Sequence, residues 1–246
     1  MQVTYATEAA PDSVNEDYVV AGPSWIAVLD GATAPAGVDS GCVHDVPWLV
    51  RTLAVELAEV LVTQEESLAD SLAAAISATC AAHRGTCDLA NPSSPSSTVS
   101  IVRLRGDVVE YLVLADSPVL VDVDGEVHAI VDDRLDHLPS YEVAAVAACR
   151  NRPGGFWVAS TDPAAAHQAV QGGFPAAQVR RAAVLSDGAS RYVERFGMSD
   201  WPGLLDVLDA VGPVELVARV RAAESTSEQS RGKRYDDATA ALIRFS

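Results

Sequence analysis

Four apolar runs in this chain each meet an aspartate at one end, and that pattern limits what the chain can fold into. Val28-Leu29-Asp30-Gly31 closes one run, Val113-Leu114-Ala115-Asp116-Ser117 a second, and Val184-Leu185-Ser186-Asp187-Gly188 a third. Tyr235-Asp236-Asp237 opens a fourth, from Ala238 to Phe245. Runs this short and this rich in Val, Ile and Leu read as buried strands. A carboxylate at the tip of a buried strand is costly unless it is paired, hydrogen-bonded or bound to a metal. In an antiparallel sheet the end of one strand lies beside the start of its neighbour. Asp30, Asp116 and Asp187 therefore share an edge with Asp236 if the last strand runs opposite to its partners. Taken singly, each site is also explained by an Asp-Gly turn or a helix N-cap. Taken together, the four make an oxygen-rich pocket of the kind hard divalent cations prefer.

The order of elements fixes the expected architecture. Strands are expected at Val3 to Ala6, Tyr18 to Ala21 and Trp25 to Leu29. Two helices follow: one carries Leu49, Leu53, Leu57 and Leu61, and the other spans Glu66 to His83. Strand-like runs then cover Thr98 to Arg105, Val108 to Ala115, Val119 to Val123 and Glu126 to Val131, with Gly106-Asp107 and Asp124-Gly125 as hairpin turns. A helix is expected over Ser140 to Cys149, and strands over Phe156 to Ser160 and Arg181 to Leu185. Helices over Ser190 to Phe196, Leu204 to Val211 and Pro213 to Glu224, then a polar loop from Ser225 to Lys233, precede the last strand. Sequential strands of this kind argue for antiparallel sheets. The expectation is an α+β fold: an antiparallel β-sandwich flanked by helix pairs in α-β-β-α layers, with residues 1–246 forming a single domain.

Charge narrows the choice of partners. The formal net charge is −17, from 17 Lys and Arg against 34 Asp and Glu. That excludes nucleic acid, which needs a basic footprint, and disfavours an anionic membrane surface. The first residues lack the basic and apolar regions of a signal peptide, and no run reaches transmembrane length. A cytoplasmic protein with reduced thiols is expected. Of its four cysteines, Cys42, Cys80, Cys87 and Cys149, the pair Cys80 and Cys87 lacks zinc-ligand spacing.

Asn15-Glu16-Asp17, Asp30-Gly31, Ser97-Thr98, Ala115-Asp116-Ser117, Ser186-Asp187-Gly188 and Asp236-Asp237-Ala238-Thr239 stand in this order. The ordered set resembles the metal-dependent type 2C serine/threonine phosphatases over nearly the whole chain. The resemblance implies a bacterial-type hydrolase that removes phosphate from phosphoserine or phosphothreonine in a phosphorylated protein. It implies two Mg²⁺ or Mn²⁺ ions and a third, weaker site, with a hydroxide held between two ions attacking phosphate in line. Asp30 would bridge the two ions, with the Gly31 carbonyl as a further ligand. Asp187 and Asp236 would complete one ion's shell. Glu16 and Asp17 would act through metal-bound waters, and Asp116 matches the additional site.

Two positions depart from the family pattern. Many members carry an Arg that binds substrate phosphate four residues before the first Glu; here that position is Asp12. The usual Gly-rich stretch after Asp-Gly is Ala32-Thr33-Ala34, so the family's acid His is missing there. His44, just before the first long helix, is a substitute general acid or simply packs the helix entry. Arg191 and Arg234 are candidates for phosphate binding or surface ion pairs. Two alternatives to a protein phosphatase stand beside it: a catalytically weak binding or regulatory module of the same fold, and a metal phosphoesterase for a small molecule.

Overall fold

The computed structural model describes residues 1–34, 37–63, 65–83, 85–227 and 233–245. Two five-stranded antiparallel sheets lie face to face. One orders its strands β1 (Gln2–Glu8), β10 (Ala238–Arg244), β9 (Val179–Leu185), β6 (Val119–Val123) and β7 (Glu126–Ile130). The other runs β2 (Asp17–Ala21), β3 (Trp25–Ala32), β4 (Ser96–Arg105), β5 (Val108–Leu114) and β8 (Val170–Pro175). Between them Ile26, Val28, Val102, Val113, Val121, Val184 and Ile243 form a dry layer of alternating strand residues.

Helices cover both outer faces. Helices α1 (Val46–Thr63) and α2 (Leu68–Ala82) lay Leu53, Leu57, Leu72 and Ile76 on the second sheet. Each is capped as its sequence dictates: the Asp45 carboxylate accepts from Trp48 N at 2.8 Å and the Ser67 hydroxyl from Asp70 N at 3.1 Å. On the first sheet pack α4 (Asp187–Glu194), α5 (Trp201–Val211) and α6 (Pro213–Thr226), through Tyr192, Leu204, Leu208, Leu216 and Val220. Gly212 turns α5 into α6 with φ 85°, and Pro213 starts the new helix. A short α3 (Val143–Cys149) and a helical turn over Asp133–His137 stand apart, where Leu138, Phe156 and Val158 form a small cluster of their own.

The α+β sandwich and its α-β-β-α layering match the expectation. Three local expectations change. Phe156 to Ser160 is no strand: it makes isolated bridges, Arg150 with Phe156 and Ser97 with Ala159. Strand β8 was not expected, because Gly172 and Gly173 erase its alternation; Gly172 is needed where the Tyr111 ring lies close. The face of the first sheet carries three helices, since α4 starts at Asp187 itself. Most of the expected loop from Ser225 to Lys233 lies outside the described residues.

A carboxylate cleft where the two sheets meet

Strand polarity gathers the aspartates at one end of the sandwich. Asp17, at the start of β2, sits directly across from Asp30, at the end of β3. In the other sheet β9 ends beside the start of β10, and Ser186 N donates to Thr239 O at 2.9 Å. Asp187 and Asp236 flank that junction. The two sheets touch here: Asp187 N donates to Asp30 Oδ2 at 3.3 Å. Asp30, Gly31, Asp116, Asp187 and Asp236 line one cleft of about 290 Å³ with Lys233 and Arg150. Asp116 enters it through a left-handed residue, Ala115 at φ 70°.

Two glycines make the approach possible. A Cβ on Gly188 would stand 1.8 Å from Asp237 O, so only glycine lets α4 start against the β10 strand. A Cβ on Gly31 would stand 2.3 Å from Val46 Cγ1 and 2.8 Å from Glu16 O.

The cleft holds more negative charge than it neutralises. Burial, then repulsion from Asp17, Asp187 and Asp116, holds Asp30 well above the usual carboxylate range. Burial raises Asp187, and Asp236 adds to it. Asp116 is pushed up to about 7 by burial and by Asp187. Asp17 is also raised to about 7, chiefly by burial, with Asp187 and Asp237 contributing. Only 4% exposed, Asp17 has no hydrogen-bond partner on either carboxylate oxygen. Glu16 is raised by half-burial, while the Thr33 hydroxyl bonds it and opposes the shift. Orphaned buried oxygens beside mutually repelling carboxylates and a backbone carbonyl are a hard-oxygen donor set, which fits Mg²⁺ or Mn²⁺.

Around this core, arginines and a second aspartate hold the walls. Arg191 places Nη2 on Asp236 Oδ2 at 2.5 Å and Nη1 on Glu224 Oε1 at 2.8 Å. Fully buried Glu224 also meets Arg221 at 2.7 Å. Arg191 thus spends its fork on carboxylates. Arg234 donates to Glu224 O and Ser225 O at the end of α6 and lies over the Tyr235 ring. Asp237 accepts from Ala10 N at 2.7 Å and Glu16 N at 2.6 Å, tying the N-terminal loop to β10. His44 faces away from the aspartates: its ring stacks on Trp48, with centroids 3.8 Å apart. Asp12 is exposed in a left-handed turn, φ 60°.

Two cations at the cleft carried no sequence signal. Lys233 Nζ lies 3.2 Å from Asp236 Oδ1. Arg150, just after α3, donates Nη1 to Ser94 O at 2.9 Å, and its buried Nε has no partner. Burial lowers its pKa. Among the described residues Arg150 makes no ion pair; only the fold brings it to the aspartates.

Comparison with known proteins agrees with this geometry. The family model described as Protein phosphatase 2C matches residues 8–233. No curated protein sequence matches the chain. Among solved structures, the catalytic domain of the serine/threonine phosphatase PstP, in complex with two manganese ions, is 18% identical with a TM-score of 0.61, over 98% of this chain and 96% of that one. PppA, a regulatory component of type VI secretion in Pseudomonas aeruginosa, is 19% identical with a TM-score of 0.63, over 99% and 96%. The phosphatase MsPP of Mycobacterium smegmatis, in complex with cacodylate, is 17% identical with a TM-score of 0.60, over 100% and 99%. At these identities the likeness is one of fold.

Proposed function

The chain belongs to the protein phosphatase 2C family, whose members are metal-dependent serine/threonine phosphatases, and we propose that residues 1–246 form one catalytic domain that dephosphorylates phosphoserine or phosphothreonine in proteins. The observation that carries the reading is the set of buried carboxylates with raised pKa values and, at Asp17, no partners. In this reading Asp30, the Gly31 carbonyl, Asp187 and Asp236 hold two Mg²⁺ or Mn²⁺ ions. Glu16 and Asp17 act through water, and Asp116 serves a third, weaker site. When bound, the ions neutralise phosphate charge and lower the pKa of a water molecule to near neutrality. The manganese in the PstP structure supports that choice of metal.

The chain's own residues do the positioning. Arg191 orients Asp236, because Glu224 fixes its other nitrogen. Lys233 and Arg150 supply the positive charge that Asp12 does not, with the free Nε of Arg150 available to a phosphate oxygen. Arg234, Pro11 and Val14 line an adjoining outer cleft with Glu16 and Asp236, where the substrate peptide would run. His44 takes no part in this chemistry. No helix among the described residues is long and apolar enough to cross a membrane, and a cytoplasmic location belongs to the same proposal.

Hydrolysis of a phosphopeptide and of an aryl phosphate, with and without Mn²⁺, on wild type and Asp187→Ala, tests it. Mn²⁺-dependent turnover that favours the phosphopeptide in kcat/KM and disappears in the variant is expected. Metal binding without turnover would make the chain a binding module, and activity that survives chelation would overturn the reading.

A further inference from the structure

A second cluster of donors lies outside the carboxylate cleft. Cys42 and His44 come from the loop before α1; His83 and Cys87 follow α2. One potential ligand atom from each lies within 4.8 Å of all the others. Sγ of Cys42 is 3.0 Å from Sγ of Cys87, 3.7 Å from Nδ1 of His83 and 3.8 Å from Nδ1 of His44. Cys87 Sγ lies 3.4 Å from His44 Nδ1. Bond lengths around tetrahedral Zn²⁺ imply ligand edges of about 3.7 Å between sulfurs and about 3.5 Å between sulfur and nitrogen. The sulfur–nitrogen distances already match, and only the sulfur pair must open.

We propose that Cys42, His44, His83 and Cys87 form a structural Zn²⁺ site that clamps the open end of the α1–α2 hairpin. The donors are soft thiolate and imidazole, against the hard oxygens of the cleft, so the two sites select different metals. Two thiolates and two neutral imidazoles balance the charge of one Zn²⁺. The surroundings are built to hold the donors still. His44 stacks on Trp48, and the edge of His83 meets the same ring at 4.8 Å. His83 is buried. Val43 N donates to Cys87 Sγ at 3.4 Å, and the Thr86 hydroxyl lies 3.6 Å from it. The two loops are joined independently by Asp88 N to Gly41 O at 2.8 Å. The sulfurs already behave as a pair with one proton. Burial and the bond to Cys87 raise Cys42 to about 11. Slight burial raises Cys87, but bonds from Cys42, His83, Thr86 and Val43 N–H outweigh it and bring it to about 5. Zn²⁺ would displace that proton.

Geometry explains the location. Helices α1 and α2 are antiparallel and joined at one end by a short connection through Ser67, so their far ends are held by side chains alone. The sequence carries Cys-x-His and His-x3-Cys about forty residues apart, a spacing that gains meaning only when the hairpin closes.

Co²⁺ added with excess Mg²⁺ and a phosphine reductant is the test, read by visible and near-ultraviolet absorption. One equivalent should give the intense d–d bands of tetrahedral Co²⁺ and a thiolate charge-transfer band, both bleached by one equivalent of Zn²⁺. Cys42→Ser and Cys87→Ser should lose the charge-transfer intensity; Cys80→Ser and Cys149→Ser should keep it. Zn²⁺ should raise the Tm of wild type and not of Cys87→Ser. Should the variants fail to fold, X-ray absorption of zinc-loaded wild type decides between two sulfurs and two nitrogens around the metal and an oxygen-only shell. An oxygen-only shell, absence of the thiolate band in wild type, or a Cys42–Cys87 disulfide that reforms when reductant is removed in the presence of Zn²⁺ would overturn the proposal.

Discussion

Replacing Asp17 with Asn should stabilise the metal-free protein at high pH and not at low pH. Its carboxyl moves from an ordinary value of 3.8 to about 7 on folding, chiefly through burial. Between these values the folded state holds a proton that the unfolded state has released, so stability falls as pH rises through that window. Above pH 7 the full cost is present, about 4 kcal/mol at 1.36 kcal/mol per pKa unit. At pH 5 only about 1.5 kcal/mol of it has developed. Asn removes the charge but buries an amide, at about 1–3 kcal/mol when its partners are incomplete. The net gain at pH 8 is about 1–3 kcal/mol, or roughly 5 °C in Tm for a chain of this size, and it vanishes near pH 5. Thermal melts of wild type and Asp17→Asn in chelator at both pH values measure it. Mn²⁺ at pH 8 should then raise the Tm of wild type more than that of the variant, because the ions relieve a repulsion the variant no longer has. An equal difference at both pH values, or a variant less stable than wild type at pH 8, would show that Asp17 carries no uncompensated charge.

Three further outcomes follow from the site. Arg150→Ala should raise KM for a phosphopeptide about 10- to 100-fold in steady-state kinetics, the worth of one charge-assisted hydrogen bond, whereas Asp12→Arg, on an exposed turn, should leave KM within about twofold. Gly188→Ala forces a methyl against Asp237 O and should cost about 1–3 kcal/mol in urea unfolding. Asp30→Ala should lower kcat by about 10³-fold or more in the presence of Mn²⁺.

Much of the fold is legible because strands and their turns are local events. Asp124-Gly125 closes a hairpin whose residues both have positive φ, 52° and 91°, as that pair allows. The leucines of α1 recur on one face, and that face is buried. Convergence of Asp30, Asp187 and Asp236 follows from antiparallel pairing once the order of runs is known. What the sequence hides is whatever depends on a remote neighbour. Strand β8 pairs with β5 through backbone alone, and its glycines carry no pattern. Arg150 resembles any arginine at a helix end until Phe156 folds back beside it. Arg191 reads equally as a phosphate ligand or an ion pair until the wholly buried Glu224 is placed next to it. Cys87 belongs with Cys42, a partner no spacing rule within the 80–87 segment would select.

The pairing of β1 with β10, and the two backbone N–H groups that Asp237 holds across it, carry a consequence for biosynthesis. Asp17 and Asp30 leave the ribosome early, but the strand that completes their surroundings is among the last segments made. Helices α1 and α2 can settle on the β3–β5 layer well before then. The carboxylate cleft cannot, since β1 lacks its partner and Asp236 does not yet exist. A nascent or prematurely released chain therefore holds half a sandwich and no cleft, and it can neither collect divalent ions there nor act on cellular phosphate until translation has passed β10.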